Sequence, residues 1–247
     1  MKRPNFFQLK NGSKAQLPFT DNEYENRLKS LRDIISKENL DAVILTSMHN
    51  IAYYSGFLYC SFGRPYACIV TSKSNIVISA NIDASQPWRR CYGENLIYTD
   101  WERDNYLKAI ISLLKNVKRV GVENDHLTLD RYKNLKDALG NTELIDIASL
   151  VMMKRIIKSK EEIALIASGA KIADIGGEAL VKEINKRGKG VIKIDILPFN
   201  SIKMFAQAPA VSKGRVDLNC IPAAFYARGV PELEAISTAS SSVEQAR

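Results

Sequence analysis

Residues 41–47, Asp41-Ala42-Val43-Ile44-Leu45-Thr46-Ser47, decide the fold. Four apolar residues in succession read as a strand covered on both faces, because a strand with one wet face would alternate apolar and polar. The segment before it supports that reading. Thr20 and Glu23 have capping-box spacing, and Tyr24, Leu28, Leu31 and Ile35 recur at helical intervals, which predicts an amphipathic helix over 21–37 with Asn39 at its stop. In the other direction, 66–70 and 75–79 are β-rich runs around Thr71-Ser72-Lys73-Ser74 and predict a hairpin. Leu96 to Tyr98, Val120 to Val122 and Leu144 to Ile147 read as further strands. Helical faces lie between them, at Leu107, Ile110, Ile111 and Leu114 and again at Tyr132, Leu135 and Leu139. Such alternation predicts an α/β layered domain, and the hairpin makes its sheet mixed.

Farther out, Ser159 and Glu162 form a second capping box, and Ile163, Ile166, Ala170, Ala173, Ala179 and Ile184 mark a long helix over about 160–185. Gly176 and Gly177 inside it each cost about 1 kcal/mol relative to Ala, so close packing against a backbone in a second domain is the expected reason for them. Asn185 to Gly190 then reads as a flexible basic link, followed by a strand-like Val191 to Leu197. From Gly214 onward there is no Lys, a shift that sets the last part of the chain apart from the rest.

Composition narrows the function classes. With 247 residues, 46% hydrophobic and 25% charged, the chain has the profile of a soluble globular protein, and no apolar run approaches a membrane span. A cytoplasmic protein with no membrane association is expected. The net charge of +8 is spread among Glu and Asp rather than gathered in a stripe with aromatics, so no nucleic-acid partner is expected. Cys60, Cys68, Cys91 and Cys220 form no CxxC pair, and His49 and His126 are the only imidazoles, so no metal is expected; neither GxxxxGK(S/T) nor GxGxxG occurs to cradle a phosphate, and no cofactor is expected. Cys68, inside an apolar run, reads as a buried free thiol.

The most informative segment is Tyr59-Cys60-Ser61-Phe62-Gly63-Arg64-Pro65-Tyr66. Gly63 and Pro65 tighten a loop that puts an aromatic ring and a guanidinium two residues apart, directly before a strand. An Arg fork suits a substrate carboxylate, and a Phe ring covers a planar or cationic group. The pair fits a small ligand with a carboxylate at one end and a planar cation at the other; a surface Arg beside a half-buried Phe in a plain connecting loop is the competing account. In Gln86-Pro87-Trp88-Arg89-Arg90, Pro87 is placed to open a short helix, Trp88 reads as a packing anchor and the arginines as salt-bridge partners. His49 is assigned a turn or capping role and His126 a structural one, since no nucleophile or carboxylate motif surrounds them.

Several segments together resemble the creatinases, creatine amidinohydrolases of the creatinase/prolidase/methionine aminopeptidase pita-bread superfamily. They are Asp41 to Ser47, His49-Asn50-Ile51, Tyr53 to Tyr59, Phe62-Gly63-Arg64, Gln86 to Arg90, Tyr98 to Trp101, Asp125-His126, Met153, Ile157-Lys158-Ser159 and Ala173 to Gly177. The resemblance covers roughly residues 20–185. It implies a three-layer creatinase/prolidase N-terminal domain with a mixed sheet at 1–152, then an incomplete pita-bread α+β catalytic domain at 153–247 that begins with the long helix. It further implies a cytoplasmic homodimer, without metal or cofactor, that splits creatine or a similar guanidino acid into sarcosine and urea. In that family the Phe and Arg of the loop reach into the other subunit's site, which makes Phe62 and Arg64 the substrate-binding residues.

The family's catalytic histidine and guanidinium-holding glutamates match no segment of this chain, so no catalytic residue is carried over. Val230-Pro231-Glu232 follows only after an unmatched stretch, 186–227, which favours a truncated or chimeric reading frame and a chain inactive on its own. Two alternatives stand beside this reading. One is a non-catalytic binding or dimerisation module. The other is a fragment of a metal-dependent Xaa-Pro peptidase or a related lyase on the same plan, for which a betaine-like substrate also offers a carboxylate and a cation.

Overall fold

The computed structural model describes residues 3–59, 63–191, 195, 197, 201–203 and 206–217. The chain falls into two units, Met1–Ala170 and Lys171–Arg247. The first holds a seven-stranded mixed sheet: β1 (Phe6–Phe7), β2 (Ala42–Leu45), β3 (Ala67–Thr71), β4 (Asn75–Ala80), β5 (Glu94–Tyr98), β6 (Arg119–Val122) and β7 (Glu143–Asp146), in spatial order β1-β5-β4-β3-β2-β6-β7. The predicted hairpin is β3 and β4, paired antiparallel with Ala67 opposite Ile78. β2 runs antiparallel to β3 and parallel to β6, while β4 and β5, and β6 and β7, are parallel pairs. β2, β4, β5, β6 and β7 therefore point one way, and their C-terminal ends form one edge.

The helices are α1 (Asp21–Lys37), α2 (Met48–Ser55), α3 (Pro87–Arg90), α4 (Asn105–Leu113), α5 (Leu129–Leu139), α6 (Ala148–Ile156), α7 (Lys160–Arg187) and α8 (Gln207–Ser212). α1 packs with α2 and α6, and α4 packs with α5. All four residues of β2 are buried, as the apolar run predicts. Along it, Ile44 faces the α4–α5 layer with Ile110 and Leu135. Val43 faces the other way, where a Cβ placed on Gly121 of β6 would lie 3.1 Å from it and 3.0 Å from Leu40 and Ile147. Any side chain at 121 would crowd these three methyl groups and force them to shift, so glycine suits the close approach of that layer. These two faces make the architecture three-layered.

α1 matches its predicted bounds and buries Tyr24, Leu28, Leu31 and Ile35 together with Arg27. Asn39 adopts a positive φ of 52° at its stop, the left-handed conformation that Asn tolerates. The capping box is only half formed. Thr20 Oγ1 accepts from the Glu23 amide at 3.2 Å, but the Thr20 amide donates to Glu161 at 3.0 Å, because Glu23 has turned to Arg27. Arg27, 3% exposed, lies 2.9 Å from Glu23 and 3.5 Å from Glu162, donates to the Tyr53 carbonyl, and packs against the Phe19 and Tyr53 rings. Together with Thr20, it ties the first turn of α7 to α1. At that turn the second capping box is complete, with Ser159 and Glu162 exchanging hydrogen bonds of 2.8 and 3.2 Å.

α7 runs two residues beyond its predicted end, to Arg187, and none of its residues is buried. A Cβ at Gly176 or Gly177 would meet open space, so the close backbone expected there is not supplied by the described residues. The strand-like Val191 to Leu197 falls largely outside the described residues, as does all of the chain after 217. In the second unit the described elements are the remainder of α7 and the short α8. Among the described residues, no helix is long and apolar enough to cross a membrane.

Candidate functional site at the strand-end edge

In open α/β sheets, ligands bind outside the carboxyl ends of the parallel strands. β3 is antiparallel to its neighbours, so the loop that precedes it lies at this same edge. That loop carries Arg64. Its side chain is half exposed, and Nε sits 3.3 Å from Asp100, which follows the end of β5. Gly63 beside it has a φ of 81°, a left-handed conformation that disfavours any side chain. Phe62, the other predicted substrate contact, lies with Cys60 and Ser61 outside the described residues.

Behind Arg64 the stem of the loop is held by phenols. Tyr98 donates to the Pro65 carbonyl at 3.0 Å, and Tyr106 to the Tyr66 carbonyl at 3.1 Å. The Tyr66 ring stacks on Tyr59 with centroids 3.9 Å apart, and its hydroxyl donates to Asp83. Burial raises the pKa of all four, Tyr59 to about 12, and the bond to Asp83 raises Tyr66 further. They therefore stay protonated, as donors, throughout the neutral range. The Arg64 backbone is placed by this tyrosine frame and the guanidinium by Asp100. Sequence reasoning singled out Arg64 but not its frame, whose members lie 33 and 40 positions away from the carbonyls they hold.

The same edge contains a buried carboxylate that the sequence reading left without a role. Glu123, at the end of β6 and 1% exposed, accepts from the Ser47 amide at 2.9 Å and hydroxyl at 2.7 Å, and also from the Thr46 amide and the Asn50 side chain. It joins the end of β2 to the end of β6. Ser47, held in this way, caps α2 by accepting from the Asn50 amide. The cap is Ser47, not His49, which is the second residue of α2. His126 donates its amide to the Glu123 carbonyl and sits exposed. Neither imidazole has a hydrogen-bonding or ionic partner for its ring among the described residues.

Pro87 does open a short helix, and Trp88 anchors the N-terminal segment, donating to the Gly12 carbonyl at 2.9 Å beneath the Lys10 and Lys14 ammonium groups. Arg89 and Arg90 form no ion pair among the described residues; Arg90 instead donates to Gln86, which the helical turn places on the same face. Cys68 and Cys91 are buried free thiols, and burial pushes both pKa values up, Cys91 to about 11. No cluster of His, Cys, Asp or Glu among the described residues is arranged to hold a metal ion.

Comparison with known proteins adds to this geometry. The family model described as "Creatinase/Prolidase N-terminal domain" matches residues 27–157. A creatinase from Bacillus sp. (strain B-0618) is 50% identical over 179 residues, covering 71% of this chain and 44% of that protein. Among solved structures, an Xaa-Pro dipeptidase from Bacillus anthracis aligns with a TM-score of 0.55 at 23% identity, over 65% of this chain and 44% of its own. A prolidase from Pyrococcus horikoshii OT3 gives 0.52 at 23% identity, over 64% and 43%. At those identities the likeness to the two peptidases is one of fold. The chain spans less than half the length of each of these proteins.

Proposed function

This chain belongs to the creatinase/prolidase N-terminal domain family, and from that premise we propose that it is the N-terminal part of a creatinase-like hydrolase, one that lends Arg64, with Phe62, to a substrate carboxylate. The substrate is a guanidino acid such as creatine, split with water into sarcosine and urea. The reading includes a cytoplasmic homodimer in which the loop of one subunit completes the site of the other, and a division near residue 152 between this domain and the catalytic one.

The observation that carries the proposal is the Arg64 guanidinium, half exposed at the strand-end edge and oriented by Asp100 on a loop stem fixed by buried phenols. An Arg whose orientation is set before binding loses less entropy when it engages a carboxylate, and its fork suits a two-oxygen acceptor. The 50% identity to a creatinase favours a guanidino acid over the substrates of the peptidase relatives. The histidine and glutamates that would activate water and hold the guanidinium in creatinases match no segment of this chain, so the chain alone should release no urea from creatine.

Fusing residues 1–185 to the remainder of the Bacillus creatinase tests the assignment. Urea release should return, and Arg64→Ala in that chimera should raise the KM for creatine by about 10- to 100-fold, as expected for a lost charge-assisted hydrogen bond. An unchanged KM would remove Arg64 from the substrate site. Urea formed by the unfused chain would overturn the N-terminal-part reading itself.

A further inference from the structure

A cleft opens at the same edge, beside the loop that carries Arg64 but not lined by Arg64 itself. It has a volume of about 480 Å³ and lies between α4 and α5, above the end of β2. That is within the range of roughly 300–1,000 Å³ typical of small-molecule sites. Its floor is apolar, formed by Ile44, Leu107, Ile110 and Leu135. Its rim carries two cations and two anions: Arg103 and Asp104 from the turn into α4, and Asp130 and Arg131 from the first turn of α5. None of the four is in ion-pair contact with another charged side chain among the described residues. Asp104 does not spend its carboxylate on capping α4 either.

Balanced opposite charges beside these apolar side chains favour a ligand that brings both charges and an apolar body. A dianion would meet two carboxylates, and a plain hydrocarbon would engage none of the four charged groups on the rim. We propose that the α4–α5 cleft binds a free apolar α-amino acid. Its carboxylate is taken by the arginines, its ammonium by the aspartates, and its side chain rests against Ile110 and Leu135. Pro65, which follows Arg64 in the chain, forms part of the cleft wall, so this site adjoins the creatine-facing loop without sharing its guanidinium. The proposal does not depend on the creatinase reading.

Leucine is a suitable probe, titrated into the isotopically labelled full chain and followed by amide resonances. Saturable shifts should centre on residues 103–107 and 127–135. Arg131→Gln and Asp130→Asn should each weaken leucine binding about tenfold or more, as loss of one charge-assisted contact requires, while Arg64→Ala leaves it unchanged. 4-Methylpentanoate, which lacks the ammonium, and 3-methylbutylamine, which lacks the carboxylate, should both bind about tenfold more weakly than leucine. Asp130→Asn should lose its effect when 4-methylpentanoate is the probe, a response that damage to the fold would not produce. Absence of saturable shifts, leucine binding unaffected by Arg131→Gln and Asp130→Asn, or equal binding of 4-methylpentanoate overturns the proposal.

Discussion

α1 and α7 begin in the same way and end up in opposite circumstances. Each opens on a hydroxyl residue followed three positions later by Glu, and each carries apolar residues at helical spacing. α1, with 17 residues, buries seven of them, whereas α7, with 28, buries none. The difference lies in what faces each helix. α1 lies beside α2, α6 and β3, while Ile163, Ile166, Ile172 and Ile175 of α7 stay exposed among the described residues. Helix formation is therefore a local outcome, and burial is not. Most of the stabilisation that a helix brings comes from the surface it packs.

The sharpest way to break this comparison is a matched pair of truncations. Leu31→Ala in α1 should cost about 2–5 kcal/mol in urea unfolding, because it leaves a cavity in a filled core. Ile175→Ala in α7 should change stability by no more than about 0.5 kcal/mol, as for an exposed site. A comparable loss at both positions would mean that α7 is packed in solution.

Glycine replacement probes the same contrast with smaller effects of opposite sign. Gly121→Ala should destabilise the sheet by about 1–3 kcal/mol, since the new methyl group would meet Val43, Leu40 and Ile147. Gly177→Ala should strengthen α7 by about 1 kcal/mol, because helix propensity improves and nothing obstructs the methyl group. Circular dichroism and thermal melting of the two variants would read both signs. A destabilising Gly177→Ala would mean that a neighbour does pack there, which is the reason the sequence suggested for the glycine pair.

The smallest effect concerns the link between the two helices. Hydrogen bonds from the Thr20 hydroxyl and amide hold the Glu161 pKa below the usual glutamate value of 4.5. A carboxylate whose pKa is lowered by folding contributes stability above its unfolded value, and that contribution fades as pH falls through the folded value. Glu161→Gln should therefore weaken the protein slightly at neutral pH and flatten the loss of stability below about pH 4.5. Denaturation midpoints between pH 7 and pH 3 would show it; parallel curves for variant and parent would remove Thr20 and Glu161 as a pH-dependent contact.

Legibility followed the distance over which each signal acts. α1, the strand β2, the β3–β4 hairpin and the existence of α7 are written in local periodicity and caps, and the structure places them within a residue or two of their expected bounds. β1, two residues long, exists only through its pairing with β5, and α2 and α6 are short helices without a sustained period. At the candidate site, Arg64 stood out because Gly63 and Pro65 mark its loop. Asp100 and the two clamping tyrosines did not, since nothing in a sequence brings together residues tens of positions apart.

The sequence by itself determined α1, β2, the β3–β4 hairpin and the start of α7, the mixed α/β class and the buried Cys68, and it drew attention to Arg64, because periodicity, turn chemistry and residue type act over a few positions. Only the tertiary structure decided that α1 buries one face while no residue of α7 is buried among the described residues, and that Glu123 is held by Thr46, Ser47 and Asn50. It also decided that Asp100 and the tyrosine hydroxyls set the position of Arg64. The physical reason is common to all of these. Burial, ion pairing and long-range hydrogen bonding depend on which surfaces meet, and that is settled only when the sheet order brings them together.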